Sequence, residues 1–160
     1  MFQPPSHYFL CAGRAEGYAP LNAFDQALLA AGVGDTNLVR MSSILPPGCQ
    51  RVEPFELPGG ALVPTAYAEM GASTPGAVIS AAVAIAVPED PAVPGLIMEH
   101  GAAAPLEEVL VEVREMARQG MEHRRRPVAT IESTGIEHVV ERHGVAFAGV
   151  VLWNGPGEAR

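Results

Sequence analysis

The sequence predicts an α+β domain, and three observations carry that prediction. Two stretches, residues 21–32 and 105–121, space their apolar side chains as helices do. About six or seven other runs, rich in Val, Ile and Ala and bounded by Gly and Pro, read as strands. Two helices are too few to connect that many strands by repeated βαβ units, which leaves α+β. With 160 residues, 48% of them hydrophobic and only 18% charged, the chain suits one globular domain with a real core.

The elements follow in order. Residues 7–13 form a first strand that ends at Gly13, and Gly17 and Pro20 mark the turn after it. The helix over 21–32 closes on Gly32, and Leu21, Phe24, Leu28 and Leu29 make its core-facing stripe. Gly32-Val33-Gly34 follows a helix rather than preceding one, which excludes a nucleotide-binding loop. A short strand beginning at Asn37 then runs into Ser42-Ser43, an odd pair for a strand interior, and Pro46-Pro47 stops the apolar run beyond it. Residues 46–60 are loop-rich. Residues 61–70 form a strand in which Pro64 predicts an edge or a bulge. Residues 77–87 make a long apolar strand, whose alanines predict close approach by another layer or subunit, and residues 95–101 a shorter one. The helix from Pro105 carries Glu107 and Glu108 at its positive end and buries Leu106, Val109, Leu110, Val113, Ala117 and Met121 over a sheet. Two strands, 128–140 and 145–153, complete the domain, with a loose tail from Asn154.

A net charge of −8 argues against nucleic acid and fits a cytoplasmic protein that takes a cationic ligand. The one basic run, Arg124-Arg125-Arg126, adjoins Glu122 and a proline and reads as a solvated helix end. Two cysteines, Cys11 and Cys49, with no CxxC spacing, suit a reducing compartment and structural roles. No charged-then-apolar leader is visible at the N-terminus. The longest apolar run falls well short of the roughly 20 residues that span a bilayer. The five histidines show neither HExxH nor i,i+4 pairing, so no metal is expected.

Two carboxylates stand out. Asp25 falls inside the apolar stripe of the first helix, four residues from both Leu21 and Leu29. A carboxylate on a buried face needs a partner, either a structural salt bridge or a cationic ligand. Glu99 ends an apolar strand and is either an exposed terminal charge or an acid over a pocket, with a carboxyl raised by partial burial and suited to proton transfer.

The serine pair admits a specific chemistry. If the Ser42-Ser43 peptide is strained, the Ser43 hydroxyl can attack the Ser42 carbonyl and turn the amide into an ester. Elimination across Ser43 then yields a dehydroalanine, which hydrolyses to a pyruvoyl group and ammonia. Only a β-hydroxyl or thiol directly after the bond can begin this sequence. A pyruvoyl ketone can form a Schiff base with a substrate amine and act as an electron sink in place of pyridoxal phosphate, while an acid reprotonates the carbon that loses CO2.

A run of words follows in order along the chain: Pro20-Leu21-Asn22-Ala23-Phe24-Asp25, Asn37-Leu38-Val39-Arg40-Met41-Ser42-Ser43-Ile44-Leu45-Pro46-Pro47, Gly60-Ala61-Leu62-Val63-Pro64-Thr65-Ala66-Tyr67, Ile79-Ser80-Ala81-Ala82, Gly95-Leu96-Ile97-Met98-Glu99, Arg114-Glu115-Met116-Ala117, Ile136-Glu137-His138 and Ala146-Phe147-Ala148. In these words the chain resembles the pyruvoyl-dependent arginine decarboxylase family. The resemblance implies self-cleavage between Ser42 and Ser43 into a β chain (1–42) and an α chain (43–160). It implies a pyruvoyl group made from Ser43, with neither pyridoxal phosphate nor metal, and conversion of L-arginine to agmatine. It implies Glu99 as proton donor, Asp25 as holder of the substrate guanidinium and Asn37 as a pocket residue. The fold it implies is a four-layer αββα sandwich, assembled as a trimer or dimer of trimers with sites between subunits. The same chemistry on another basic amino acid, or an uncut non-catalytic member, would share these words.

Overall fold

The computed structural model describes residues 3–155. Its elements run β1 (His7–Glu16), α1 (Pro20–Ala30), β2 (Asn37–Arg40), β3 (Ile44–Leu45), β4 (Gln50–Arg51), β5 (Leu62–Ala72), β6 (Val78–Pro88), β7 (Gly95–Ala102), α2 (Leu106–His123), β8 (Val128–Val139) and β9 (Gly144–Trp153). The strands form two sheets, ordered β2-β5-β9-β1-β4 and β3-β7-β6-β8.

Three apolar layers show how the sheets and helices stack. Between the sheets lie Tyr8, Ala66, Ala68, Ile79, Val83, Ile85, Ile97, Val150 and Leu152. Outside the first sheet, Phe9, Val63, Phe147 and Val151 pack under Ala23 and Ala27 of α1. Outside the second, Ala82, Ala84 and Ala86 of β6 pack under Val109, Val113, Ala117 and Met121 of α2. The result is a four-layer αββα sandwich. β6 is covered on both faces, which is why its sequence is almost uninterruptedly apolar. Ala82, Ala84 and Ala86 face α2 and Ala81 faces the other sheet, so the close approach that the alanines predicted is by layers of the same chain.

Several expectations change. β1 continues past Gly13 to Glu16, in an antiparallel ladder with β9 from His7↔Trp153 to Glu16↔Gly144. Gly13 is there for clearance: a Cβ would stand 2.2 Å from the Ala27 carbonyl of α1. This close approach also fixes the buried face of α1. Only Ala23 and Ala27 fit fully beneath it, Phe24 and Leu28 are half-buried, and Leu21 (77% exposed) and Leu29 (45%) lie largely outside. Asp25 is exposed as well, so the expected buried carboxylate is not found in the single chain. Pro64 does not mark an edge, because β2 covers β5 on one side and β9 on the other. The β5–β9 ladder begins one residue later, at Thr65↔Val151, so the missing amide interrupts nothing there. Three short strands bring the total among the described residues to nine. The tail expected to be loose falls mainly on residues 156–160, outside those described.

Polar groups from distant segments close the structure. The Leu106 amide at the start of α2 donates to Glu137 of β8 at 2.9 Å, an N-cap supplied from across the sheet. At the flank where β1 meets β8, the Tyr8 hydroxyl donates to Glu132 at 3.2 Å, and Arg51 pairs with the same carboxylate at 3.1 Å. Glu16 accepts the backbone amides of Glu141, Arg142 and His143, each at 2.9 Å, and meets the His138 ring at 2.6 Å. That fastens the corner between β1 and α1 to the β8–β9 hairpin.

Candidate active site

Ser42-Ser43 does not lie inside a strand. β2 is an edge of the first sheet and β3 an edge of the second, so residues 41–43 carry the chain from one sheet to the other. Both ends of this crossing are pinned. The Met41 amide donates to the Thr65 carbonyl at 3.1 Å, and the Ile97 amide donates to the Ser43 carbonyl at 2.9 Å. Between these anchors Ser43 adopts φ 74, the left-handed region that residues with a Cβ avoid. The backbone strain of the crossing is therefore at Ser43.

Ser43 is buried, only 8% exposed, while Ser42 is exposed. The Ser43 hydroxyl lies 2.8 and 3.0 Å from the two carboxylate oxygens of Glu99 and 3.4 Å from the Met41 carbonyl. A hydroxyl has one proton to give, and the short charged contact takes it. Glu99 reaches this position because β7 alternates. Leu96 and Met98 face α2, and Ile97 faces the other sheet, so Glu99 opens into the layer between the sheets beside Ser43. Burial pushes the Glu99 carboxyl above the usual carboxylate range, and the Ser43 hydrogen bond and the nearby Arg40 charge only partly counter it.

Of the residues singled out from sequence, the fold therefore brings Ser42, Ser43 and Glu99 together. Asn37, at the start of β2, donates its side-chain amide to the Gly60 carbonyl at 2.9 Å. Asp25 stands in the outer layer on α1, which packs on β1, β9 and β5 rather than on β7. Neither Asn37 nor Asp25 is a hydrogen-bond partner of Ser43 or Glu99 in the single chain. Burial pushes the Cys11 thiol up to about 12 and Cys49 up to about 11, which suits inert structural thiols. Among the described residues no three His, Cys, Asp or Glu side chains gather as a metal site, and no helix is long and apolar enough to cross a membrane.

Sequence reading passed over Arg40. Its guanidinium donates to the Tyr67 carbonyl at 2.8 Å and lies 4.4 Å from the centre of the Tyr67 ring. A lone cation at the end of a four-residue strand, two positions before the serine pair, was the available signal.

Comparison with known proteins identifies relatives along nearly the whole chain. A family model described as pyruvoyl-dependent arginine decarboxylase matches residues 7–155. A Methanocaldococcus jannaschii protein named pyruvoyl-dependent arginine decarboxylase is 49% identical over 152 residues, covering 95% of this chain and 92% of its own length. A Pyrococcus abyssi protein of the same name is 36% identical over 152 residues, covering 93% and 96%. The solved structure of a pyruvoyl-dependent histidine decarboxylase at pH 8 matches 62% of this chain and 54% of its own with a TM-score of 0.51. At 17% identity that is a likeness of fold alone.

Proposed function

Because the chain belongs to the pyruvoyl-dependent arginine decarboxylase family, we propose that it converts L-arginine to agmatine and CO2 at a pyruvoyl group made from its own Ser43. The observation that carries this reading is the Ser43–Glu99 contact at a left-handed, doubly anchored peptide. The strained turn raises the ground state of the Ser42-Ser43 amide, and the buried hydroxyl next to it is the group that attacks. Glu99 accepts a hydrogen bond from this hydroxyl and so orients its oxygen, and the departing amine takes the hydroxyl proton as the C–N bond breaks. The products are a chain 1–42 ending at Ser42 and a chain 43–160 beginning with the pyruvoyl group.

That group, once formed, supplies an electron sink for a substrate amine. The chain's residues supply the rest. Glu99 is partly buried, holds its proton to higher pH than an ordinary carboxyl, and is placed to deliver it to the decarboxylated carbon. Asp25 pairs with the substrate guanidinium through charge-assisted hydrogen bonds, and Asn37 lines the pocket.

Asp25 lies on an outer helix, away from Ser43, and a neighbouring subunit is the economical way to bring it to the site. We therefore propose a trimer, or a pair of trimers, with sites between subunits. Exposed Val39, Met41 and Ile44, which flank the serine turn, exposed Leu62 beside the start of β2 and exposed Leu21 on α1 support this reading. The low cysteine count favours the cytoplasm.

Intact mass spectrometry tests the central claim. The purified chain should appear as two fragments divided at Ser42-Ser43, with agmatine formed from arginine. Ser43→Ala should remain one chain and form none. An active but uncut protein would overturn the reading.

A further inference from the structure

Self-cleavage, as proposed above and on which this inference rests, creates an anion where none existed. The Ser43 hydroxyl adds to the Ser42 carbonyl and the C–N bond breaks, giving an ester and a free amine. Ser43 then loses its α-proton, and the Cβ–O bond breaks with its electron pair going to Ser42 as a carboxylate. The dehydroalanine takes up water and releases ammonia. The departing group in the second step is thus the carboxylate of Ser42, and it leaves into a site that already holds the Glu99 carboxylate.

Arg40 stands two residues before that leaving group. Its position is fixed twice, by the hydrogen bond to the Tyr67 carbonyl at 2.8 Å and by its guanidinium 4.4 Å from the Tyr67 ring centre. The Tyr67 ring is itself held 5.4 Å from Phe147 in the apolar layer beneath α1. The side chain reaches beyond the backbone ladder, which ends at Arg40↔Thr65, to a residue two positions further along β5. Arg40 itself is exposed at the end of β2. It is therefore tied to rigid sheet on one side and, two residues along the chain on the other, to the serine whose carboxylate departs.

We infer that Arg40 is a positioning residue for self-cleavage: it holds the upstream arm of the scissile turn on β5 and supplies the positive charge that stabilises the Ser42 carboxylate as it leaves. Two roles follow from the one side chain. The tether keeps the strand end in place before the cut, and the charge favours breaking of the Cβ–O bond over return of the ester to the amide.

Two variants separate charge from tether. Arg40→Gln keeps a donor for the Tyr67 carbonyl and removes the charge, whereas Arg40→Lys keeps the charge and loses the planar stack. Each is followed by denaturing electrophoresis after synthesis, with and without neutral hydroxylamine, which cuts esters but not amides. Thermal melting confirms that each variant is folded. Arg40→Gln is expected to process at least about tenfold more slowly, with its full-length chain partly cut by hydroxylamine at Ser42 because the ester accumulates. Arg40→Lys is expected to recover most of the rate. Processing of Arg40→Gln within twofold of the unmodified chain overturns the inference. So does a slow Arg40→Gln whose full-length chain resists hydroxylamine and which Arg40→Lys fails to rescue. If Arg40→Gln does not fold, the unmodified chain's own processing decides: it should slow as salt screens the charge, and indifference to salt overturns the inference. An unmodified chain that never cuts would instead remove the self-cleavage reading itself.

Discussion

The Ser43 hydroxyl points at the Glu99 carboxylate, 2.8 Å from its nearer oxygen, although the two residues are separated by 56 positions in sequence, one in the crossing from β2 to β3 and the other on β7. In the proposed maturation one side chain would be consumed and the other would persist. The pair would then place the lasting acid beside the atom from which the reactive group is made, before any substrate arrives.

Glu99→Gln separates the two stages. An amide still accepts the Ser43 hydroxyl, so the cut should survive. The amide has no proton to deliver to the decarboxylated carbon, and turnover should fall by roughly 100-fold or more, as loss of a general acid does. In the unmodified enzyme the raised Glu99 carboxyl keeps its proton to higher pH, so turnover should decline as pH rises through its value. The Gln variant should lack that decline, and steady-state rates across pH read both effects.

Asp25→Asn should affect binding rather than maturation. The loss of a charged hydrogen bond to the guanidinium raises KM for arginine by roughly 10- to 100-fold. Cleavage should proceed normally, because Asp25 lies on α1, away from the serine turn. Rates with arginine, lysine and ornithine, measured side by side, check that the carboxylate selects for the guanidinium.

Backbone strain at Ser43 can be weighed in chains that cannot cut. Ser43→Ala and Ser43→Gly both lack the hydroxyl, but only glycine adopts φ 74 without a Cβ clash. The glycine variant should be the more stable by about 1 kcal/mol, close to the cost of one left-handed residue. Urea unfolding of the two uncut proteins gives the difference.

The Glu16 cluster predicts an acid-sensitive corner. Burial pushes the Glu16 carboxyl up, but the Glu141 amide, the His138 ring and the amides of Arg142 and His143 outweigh it and hold it at about 2, below its ordinary 4.5. A depressed carboxyl contributes stability that is complete above its ordinary value and is lost as pH falls toward the folded one. The melting-temperature gap between the unmodified chain and Glu16→Gln should thus be largest above about pH 5 and close toward pH 2.

The long elements were legible because one residue pattern decides each. β6 is apolar on both faces because two layers cover it, and α2 has a clear stripe with acids at its start. Glu99 could be picked out because a carboxylate ending an apolar strand is conspicuous. The faces of α1 were misread because leucines usually mark the buried side. Here glycine at position 13 brings the helix so near β1 that only alanines fit beneath it. The turn of the chain from one sheet to the other between β2 and β3 carries no local signal, since it depends on partners at Thr65 and Ile97. Neither does the cap that Glu137 gives α2 from 31 residues away.

In the proposed maturation, chain 1–42 would contribute β1, α1 and β2, and β1 lies between β9 and β4 inside the first sheet rather than at its rim. After such a cut these elements would be held by non-covalent contacts alone: the ladders of β1 to β9 and β4 and of β2 to β5, the packing of α1 and the Glu16 cluster. The precursor folds as a single molecule. The mature protein, once unfolded, would have to find a separate partner chain, at a rate that depends on dilution and with no strained peptide left to guide the crossing. Maturation therefore gives the fold a history: it is reached through a connected chain, kept by a high barrier to unfolding, and hard to regain after denaturation.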